Sequence, residues 1–101
     1  MRLVDALEAG LVVAHPLVTG ELACGDLRNR ASILSLLNRL GQSTVGRIED
    51  AHVLIERHQL MGRGIGIVDV LLLTSAAIDG TRLWTHDRRL RAVADDLGLS
   101  A

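Results

Sequence analysis

Residues 62–90 of the chain read GRGIGIVDVLLLTSAAIDGTRLWTHDRRL, and this stretch decides the predicted fold. The apolar run 67–79 has the length of a helix, and Gly80 follows it as a residue suited to the left-handed conformation that ends many helices. Residues 81–85 are rich in β-forming side chains, which is typical of a short strand. The stretch therefore predicts a helix followed directly by a strand.

Two aspartates lie at the ends of this unit, Asp69 at the start of the helix and Asp87 just beyond the strand. A helix rises about 1.5 Å per residue, so the chain travels roughly 18 Å along it. The strand then returns about 17 Å, at roughly 3.3 Å per residue. We therefore expect both carboxylates at the same edge of one sheet, which is the edge where parallel α/β folds build their sites.

A third carboxylate, Glu21, follows another predicted strand. Residues 11–15 (LVVAH) form an apolar run suited to a buried parallel strand, and Pro16 ends it. Thr19 is then a suitable N-cap for a helix over 20–40, with Glu21 in its first turn. Converging carboxylates repel one another unless a cation neutralises them, and their hard oxygens suit Mg²⁺ or Mn²⁺. This pattern points to metal-assisted phosphodiester chemistry.

Three blocks of sequence resemble a known family, the PIN-domain ribonucleases, and within it the VapC-type toxins of bacterial toxin–antitoxin pairs. The blocks are HPLVTGELACGDL at 15–27, GRGIGIVDVLLLTSAA at 62–77 and LWTHDRRL at 83–90. Their order and spacing match as well, and the resemblance covers nearly the whole chain. It implies a PIN-like parallel sheet covered by helices on both faces.

The resemblance also implies an activity and its residues. The conserved acids of the family fall on Glu21, Asp69 and Asp87, which would hold Mg²⁺ or Mn²⁺, with Thr85 beside the last of them. The family hydrolyses RNA without a covalent intermediate, is held inactive by a small cognate antitoxin, and tends to form homodimers. Thr85 would hydrogen-bond a carboxylate or a metal-bound water.

One family feature is not matched. Members begin with a strand and a further aspartate well before the glutamate block, whereas residues 2–10 here, RLVDALEAG, suggest a helix to about Ala9. Asp5 lies only 16 residues before Glu21 and is a candidate stand-in for that aspartate. We expect a single PIN-like domain over 1–101 that is shortened at its N-terminus and lacks the central first strand, as in a fragment or a product of a mis-set start codon.

Two other functions stay open at this point. With the family's first aspartate unmatched, metal affinity and activity are both expected to fall. The chain could then be a catalytically incompetent module that binds the antitoxin or associates with itself. The glycine-rich run 61–66, MGRGIG, could also cradle phosphate in a nucleotide-binding regulator. It matches neither a Walker A motif nor a full dinucleotide fingerprint, which favours a flexible connector into the Asp69 helix.

Composition sets wider bounds. Hydrophobic residues make up 49% of the chain, which excludes general disorder, and the net charge of −1 does not indicate a nucleic-acid binder. All 11 basic residues are arginine. Arg88, Arg89 and Arg91, next to Asp87, are the best candidates for RNA contact, although a solvated helix face explains them equally well.

The remaining features are plainer. Cys24 is the single cysteine of the sequence, so an internal disulfide is excluded, and we expect this residue in the core. The absence of an apolar leader or of a long apolar run predicts a cytoplasmic protein without membrane segments. The remaining predicted elements are a short strand at 44–45, an amphipathic helix over 47–60 and a helix over 88–97. Glu21 and Asp87 also have simpler explanations, since Glu21 suits a helix N-terminus and Asp87 suits an N-cap. Asp69 is harder to explain in this way, because its neighbours in sequence are apolar.

Overall fold

The computed structural model describes residues 13–101, in which five α-helices and two short parallel strands confirm the mixed α/β class. The chain divides into two compact units, Met1–Ser43 and Thr44–Ala101, and each is described by itself. The elements are β1 (Val13–Ala14), α1 (Pro16–Cys24), α2 (Arg30–Arg39) and β2 (Gly41–Gln42) in the first unit, and α3 (Ile48–His58), α4 (Ile67–Asp79) and α5 (Arg88–Asp96) in the second. Asp5, the expected helix to Ala9 and the first part of the expected strand 11–15 lie outside the described residues.

The two strands of the first unit pair in parallel, as predicted for this class. Val13 lies opposite Gly41 and Ala14 opposite Gln42, and the N–H of Ser43 extends the pairing by donating to the carbonyl of Ala14 at 2.8 Å. The helices α1 and α2 lie between the strands in sequence. They supply the crossover that a parallel connection requires.

The helix predicted over 20–40 is in fact two helices. α1 ends at Cys24, and α2 begins after Asn29, whose φ of 58° is left-handed and incompatible with a continuous helix. The guanidinium of Arg30 donates to the carbonyl of Ala23 at 2.7 and 3.2 Å. This side chain satisfies a carbonyl that the end of α1 leaves without a helical partner, and so stabilises the break. Cys24, expected in the core, is exposed at this break.

The short strand predicted at 44–45 was wrong, because the strand lies earlier, at Gly41–Gln42. The amide of Gln42 donates to the carbonyls of Leu37 and Leu40, at 3.0 and 2.9 Å. These bonds tie the end of α2 to β2, so the strand follows the helix at once.

Residues 44–46 are bound to α4 instead of to a strand. The N–H of Thr44 donates to Oδ2 of Asp79 at 2.9 Å, and the N–H of Gly46 donates to Oγ of Ser75 at 2.8 Å. A Cβ on residue 46 would lie 2.9 Å from Cγ2 of Thr74, closer than side-chain contacts allow. Only glycine therefore lets the chain approach α4 this closely.

Removing the hydroxyl of Ser75 should leave the buried Gly46 amide without its acceptor. Ser75 is fully buried, and its Oγ also donates to the carbonyl of Leu71 at 2.8 Å. We expect Ser75→Ala to lower the free energy of unfolding by about 1–3 kcal/mol, measured by urea denaturation. Thr74→Val is the control, because Thr74 donates only to the carbonyl of Val70. Equal losses for the two variants would contradict the role given to Ser75.

The core of the second unit forms where α4 meets α5. Six residues of α4 are buried, and one of them, Leu73, packs in a cluster with the apolar face of α5. The buried cluster consists of Leu60, Leu73, Leu90, Val93 and Ala94. It is aliphatic throughout, as the absence of Phe and Tyr from the sequence requires. This packing fixes the two helices that begin close to Asp69 and Asp87.

The bounds of the three helices of the second unit were predicted closely. α4 spans the predicted residues 67–79 and ends at Gly80, whose φ of 68° is left-handed as expected. α5 ends one residue before the prediction, and α3 lies inside the predicted 47–60. The predicted apolar stripe of α3 was only partly right, since Ala51 is buried and Ile55 packs on the core while Ile48 and His52 are exposed.

The strand predicted at 81–85 reduces to one parallel bridge, between Leu83 and Ser100. The N–H of Leu83 donates to the carbonyl of Leu99 at 2.6 Å, and the N–H of Ala101 donates to the carbonyl of Leu83 at 2.9 Å. The extended segment after α4 therefore pairs with the chain's last residues. Between residues 13 and 101, no helix is both long and apolar enough to cross a membrane.

Candidate active site

Asp69 lies in the first turn of α4, where the prediction placed it. Its Oδ2 accepts the N–H of Gly66, the residue before the helix, at 3.3 Å. The side chain is half-buried beside the buried Val70. A carboxylate is favoured here because the free N–H groups at a helix N-terminus carry partial positive charge.

Asp87 is the N-cap of α5, as its simpler explanation predicted. Its Oδ1 accepts the N–H of Leu90 at 2.9 Å. The hydroxyl oxygen of Thr85 accepts the N–H of Asp87 at 3.1 Å. Thr85 thus fixes the backbone of Asp87 before the helix begins, and the carboxylate of Asp87 is exposed.

The glycine-rich segment before α4 lies against α5. A Cβ on residue 64 would be 2.7 Å from Cδ of Arg89, 3.1 Å from its Nη1 and 3.2 Å from its Nε. At the other end of α5, Nη2 of Arg63 donates to Oδ2 of Asp96 at 2.9 Å. The chain entering the Asp69 helix is therefore held against the helix that Asp87 caps, and the segments carrying the two aspartates are neighbours.

Glu21 lies further into its helix than predicted. α1 begins at Pro16, and its N-cap is His15, whose Nδ1 accepts the N–H of Leu17 at 3.1 Å. Thr19 is thus inside the helix and is not the N-cap, because a proline at the first helical position starts the helix earlier. Glu21 lies in the second turn and is exposed, within the first unit.

The arginines beside Asp87 are exposed, as expected both for residues that contact RNA and for a solvated helix face. Within residues 13–101, the side chains of Arg88, Arg89 and Arg91 form no hydrogen bond or ion pair. Arg63, by contrast, is paired with Asp96. The unpaired guanidinium groups keep their donors for a ligand outside the chain.

The chemistry of the two aspartates fits a hard divalent cation. Each uses one carboxylate oxygen for a backbone N–H, Oδ2 in Asp69 and Oδ1 in Asp87, and its second oxygen has no hydrogen-bond partner within the described range 13–101. Such oxygens are the ligands that Mg²⁺ and Mn²⁺ prefer. Across those same residues, no three His, Cys, Asp or Glu side chains already form a group that could hold a metal ion.

Sequence reasoning missed the contact between Gly64 and Arg89. The available signal was the alternation of glycines at 62, 64 and 66, which places small residues where another side chain can cross the backbone. The sequence alone favours a flexible connector at this position. The structure instead gives Gly62 and Gly64 left-handed φ values of 75° and 79°, with Arg89 lying over the second.

Known proteins identify the family to which this architecture belongs. The ribonuclease VapC32 of Mycobacterium tuberculosis, found in two strains, is 42% identical to the chain over 100 residues, which are 98% of this chain and 81% of the relative. No family model and no solved structure matches the chain. An identity of this size over nearly the full chain is far above what a shared fold alone produces. The chain belongs to the VapC family of PIN-domain ribonuclease toxins.

Proposed function

We propose that the chain is a metal-dependent endoribonuclease, the toxin of a toxin–antitoxin pair, that hydrolyses RNA phosphodiester bonds. The observation that carries the proposal is the 42% identity to a ribonuclease over 98% of the chain. The placement of Asp69 and Asp87 at the starts of two neighbouring helices supports it.

We propose Glu21, Asp69 and Asp87 as the ligands of Mg²⁺ or Mn²⁺. A bound cation would supply an activated water and stabilise the negative charge that develops on the phosphate. Asp69 and Asp87 are oriented by their backbone hydrogen bonds, so each has one oxygen available to a ligand. Thr85 acts on Asp87 by accepting its N–H and holding the carboxylate at the helix start.

Arg88 and Arg89 are proposed to bind the RNA backbone. Both are exposed in the first turn of the helix that Asp87 caps, so they would lie close to a phosphate bound by that aspartate. Guanidinium groups suit phosphate because they can donate two parallel hydrogen bonds to it. Because the net charge of the chain is −1, RNA affinity must come from such local groups.

The wider proposal follows the family. Residues 1–101 would act as one PIN-like domain with a parallel sheet covered by helices on both faces, in the cytoplasm, as a homodimer that a cognate antitoxin inhibits. The parallel pairing of Val13 with Gly41 supports the parallel sheet.

Metal dependence is tested by incubating end-labelled RNA with the purified chain in a Mn²⁺ titration. We expect no cleavage in EDTA, cleavage that rises and saturates with Mn²⁺, and recovery when the metal is returned after chelation. Equal cleavage in EDTA and in Mn²⁺ would contradict the proposal. A folded chain that cleaves nothing at any metal concentration would support the non-catalytic binding module instead.

A further inference from the structure

The side chain of Arg89 lies against the backbone at Gly64. Its side chain crosses Gly64, with Cδ, Nη1 and Nε all within 3.2 Å of where a Cβ on residue 64 would lie. Its donors are nevertheless unpaired within the described part of the chain, 13–101. An arginine side chain that lies along the backbone and keeps its donors free loses less conformational freedom when it binds an external acceptor.

Gly64 makes this arrangement possible in two ways. Its φ of 79° lies in the left-handed region, which glycine adopts without strain. Its missing side chain leaves the space that Arg89 occupies. A methyl group on residue 64 would meet the end of a flexible side chain, so Arg89 would move while the backbone would not have to.

We propose that Gly64 is a positioning residue that fixes the Arg89 guanidinium to bind a phosphate of single-stranded RNA. This inference rests on the proposed ribonuclease function and deepens it, because it assigns the ordered phosphate contact to Arg89 and gives its cause. Arg63 does not share the role, since its guanidinium is paired with Asp96. Arg88 is the neighbouring arginine against which Arg89 is compared.

The chain offers a matched control for the glycine. Gly62 has nearly the same left-handed φ, 75°, but a Cβ there would have no described atom within 4 Å. Alanine at either position carries a similar backbone strain, because both residues have a left-handed φ. Only alanine at residue 64 also displaces Arg89. The difference between Gly64→Ala and Gly62→Ala therefore isolates the position of Arg89 from the strain of the loop.

The experiment measures the binding of a short fluorescein-labelled oligouridylate by anisotropy, in EDTA so that the RNA stays intact. Binding is followed across a salt series for the wild-type chain, Gly62→Ala, Gly64→Ala, Arg88→Ala, Arg89→Ala and the double variant Gly64→Ala/Arg89→Ala. We expect Arg89→Ala to raise the Kd about tenfold, which corresponds to one charged hydrogen-bonded contact. Its salt slope should fall by about 0.7, the value for one phosphate of a single strand.

The glycine variants then decide the inference. We expect Gly64→Ala to weaken binding about fivefold with a reduced salt slope, Gly62→Ala to bind like the wild type, and the double variant to bind no more weakly than Arg89→Ala. Thermal melts of the two glycine variants should agree with each other. Equal binding by the two glycine variants, an unchanged salt slope in Arg89→Ala, or a Gly64 effect that persists without Arg89 would each overturn it.

Cleavage with Mn²⁺, measured on the same samples, separates this inference from the function on which it rests. RNA that is bound with the expected pattern but never cut would refute the nuclease proposal and leave the assignment of Arg89 intact. RNA that is cut equally well by Gly64→Ala and by the wild type, with equal Kd, would refute the assignment alone. A wild-type chain that does not bind the oligouridylate would refute it as well.

Discussion

Replacing Asp69 by asparagine is expected to lower the rate of Mn²⁺-dependent RNA cleavage on the order of 100-fold or more. The amide oxygen of asparagine can still accept the N–H of Gly66, so the first turn of α4 keeps its hydrogen bond. What disappears is the negative charge and the strong metal-binding oxygen. The loss should therefore appear in activity and hardly at all in stability.

Single-turnover cleavage of labelled RNA measures this loss, with thermal melts recorded on the same preparations. Asp95→Asn is the matched control, because Asp95 is an exposed acid of the same unit, near the far end of α5. It should cleave like the wild-type chain. A variant at Asp69 that cleaves as fast as the Asp95 control would remove Asp69 from the site.

Replacing Leu73 by alanine is expected to lower the free energy of unfolding by about 2–5 kcal/mol. Leu73 is fully buried, at 0% exposure, in the cluster that joins α4 to α5. Alanine leaves a cavity that neighbouring side chains fill only in part. Since small domains are stable by about 5–15 kcal/mol, this one change removes a large share of the total.

Urea denaturation followed by circular dichroism measures the effect, with Ile78→Ala as control. Ile78 lies on the same helix but is 53% exposed. We expect its replacement to change stability by less than about 1 kcal/mol. If the two variants lost equal stability, the apolar face assigned to α4 would be wrong.

The helices of the second unit could be predicted because their signals are local. α4 is a continuous apolar run of helical length followed by Gly80, and its observed bounds are the predicted ones. α5 begins after Asp87, whose side chain caps it in the way the sequence suggests. For such elements the residues that start and stop the helix are neighbours in sequence, so no tertiary information is needed.

The predicted secondary structure was wrong for segments whose conformation depends on contacts with residues outside the segment. The parallel bridge of Leu83 with Ser100 depends on how the chain's end returns, which no local pattern reveals. The break after Cys24 falls in the polar stretch GDLRNR at 25–30, a local signal that the prediction of one helix overlooked, and Arg30 bonding back to Ala23 stabilises it. Residues 44–46 are extended because α4 binds their N–H groups, a reason that lies 29 and 35 residues away in sequence.

The candidate site divides in the same way. The structure places Asp69, Thr85 and Asp87 where the sequence predicted, because each sits at a helix start or just before one, while their role in the site stays a prediction. The predicted N-cap of the helix that carries Glu21, Thr19, was wrong, because α1 begins earlier, after His15. The contact between Arg89 and Gly64 depends on how the loop packs on the helix, which no local pattern in the sequence reveals.

The most direct test of the account is Mn²⁺ binding itself, measured by electron paramagnetic resonance on the chain without RNA. Wild type, Glu21→Gln, Asp69→Asn, Asp87→Asn and the control Asp95→Asn are titrated side by side. If Glu21, Asp69 and Asp87 share one cation, each of their variants should weaken the same single site, by about tenfold or more, and Asp95→Asn should not. Unchanged Mn²⁺ affinity in any of the first three variants would contradict the three-carboxylate metal centre on which the proposed ribonuclease mechanism depends.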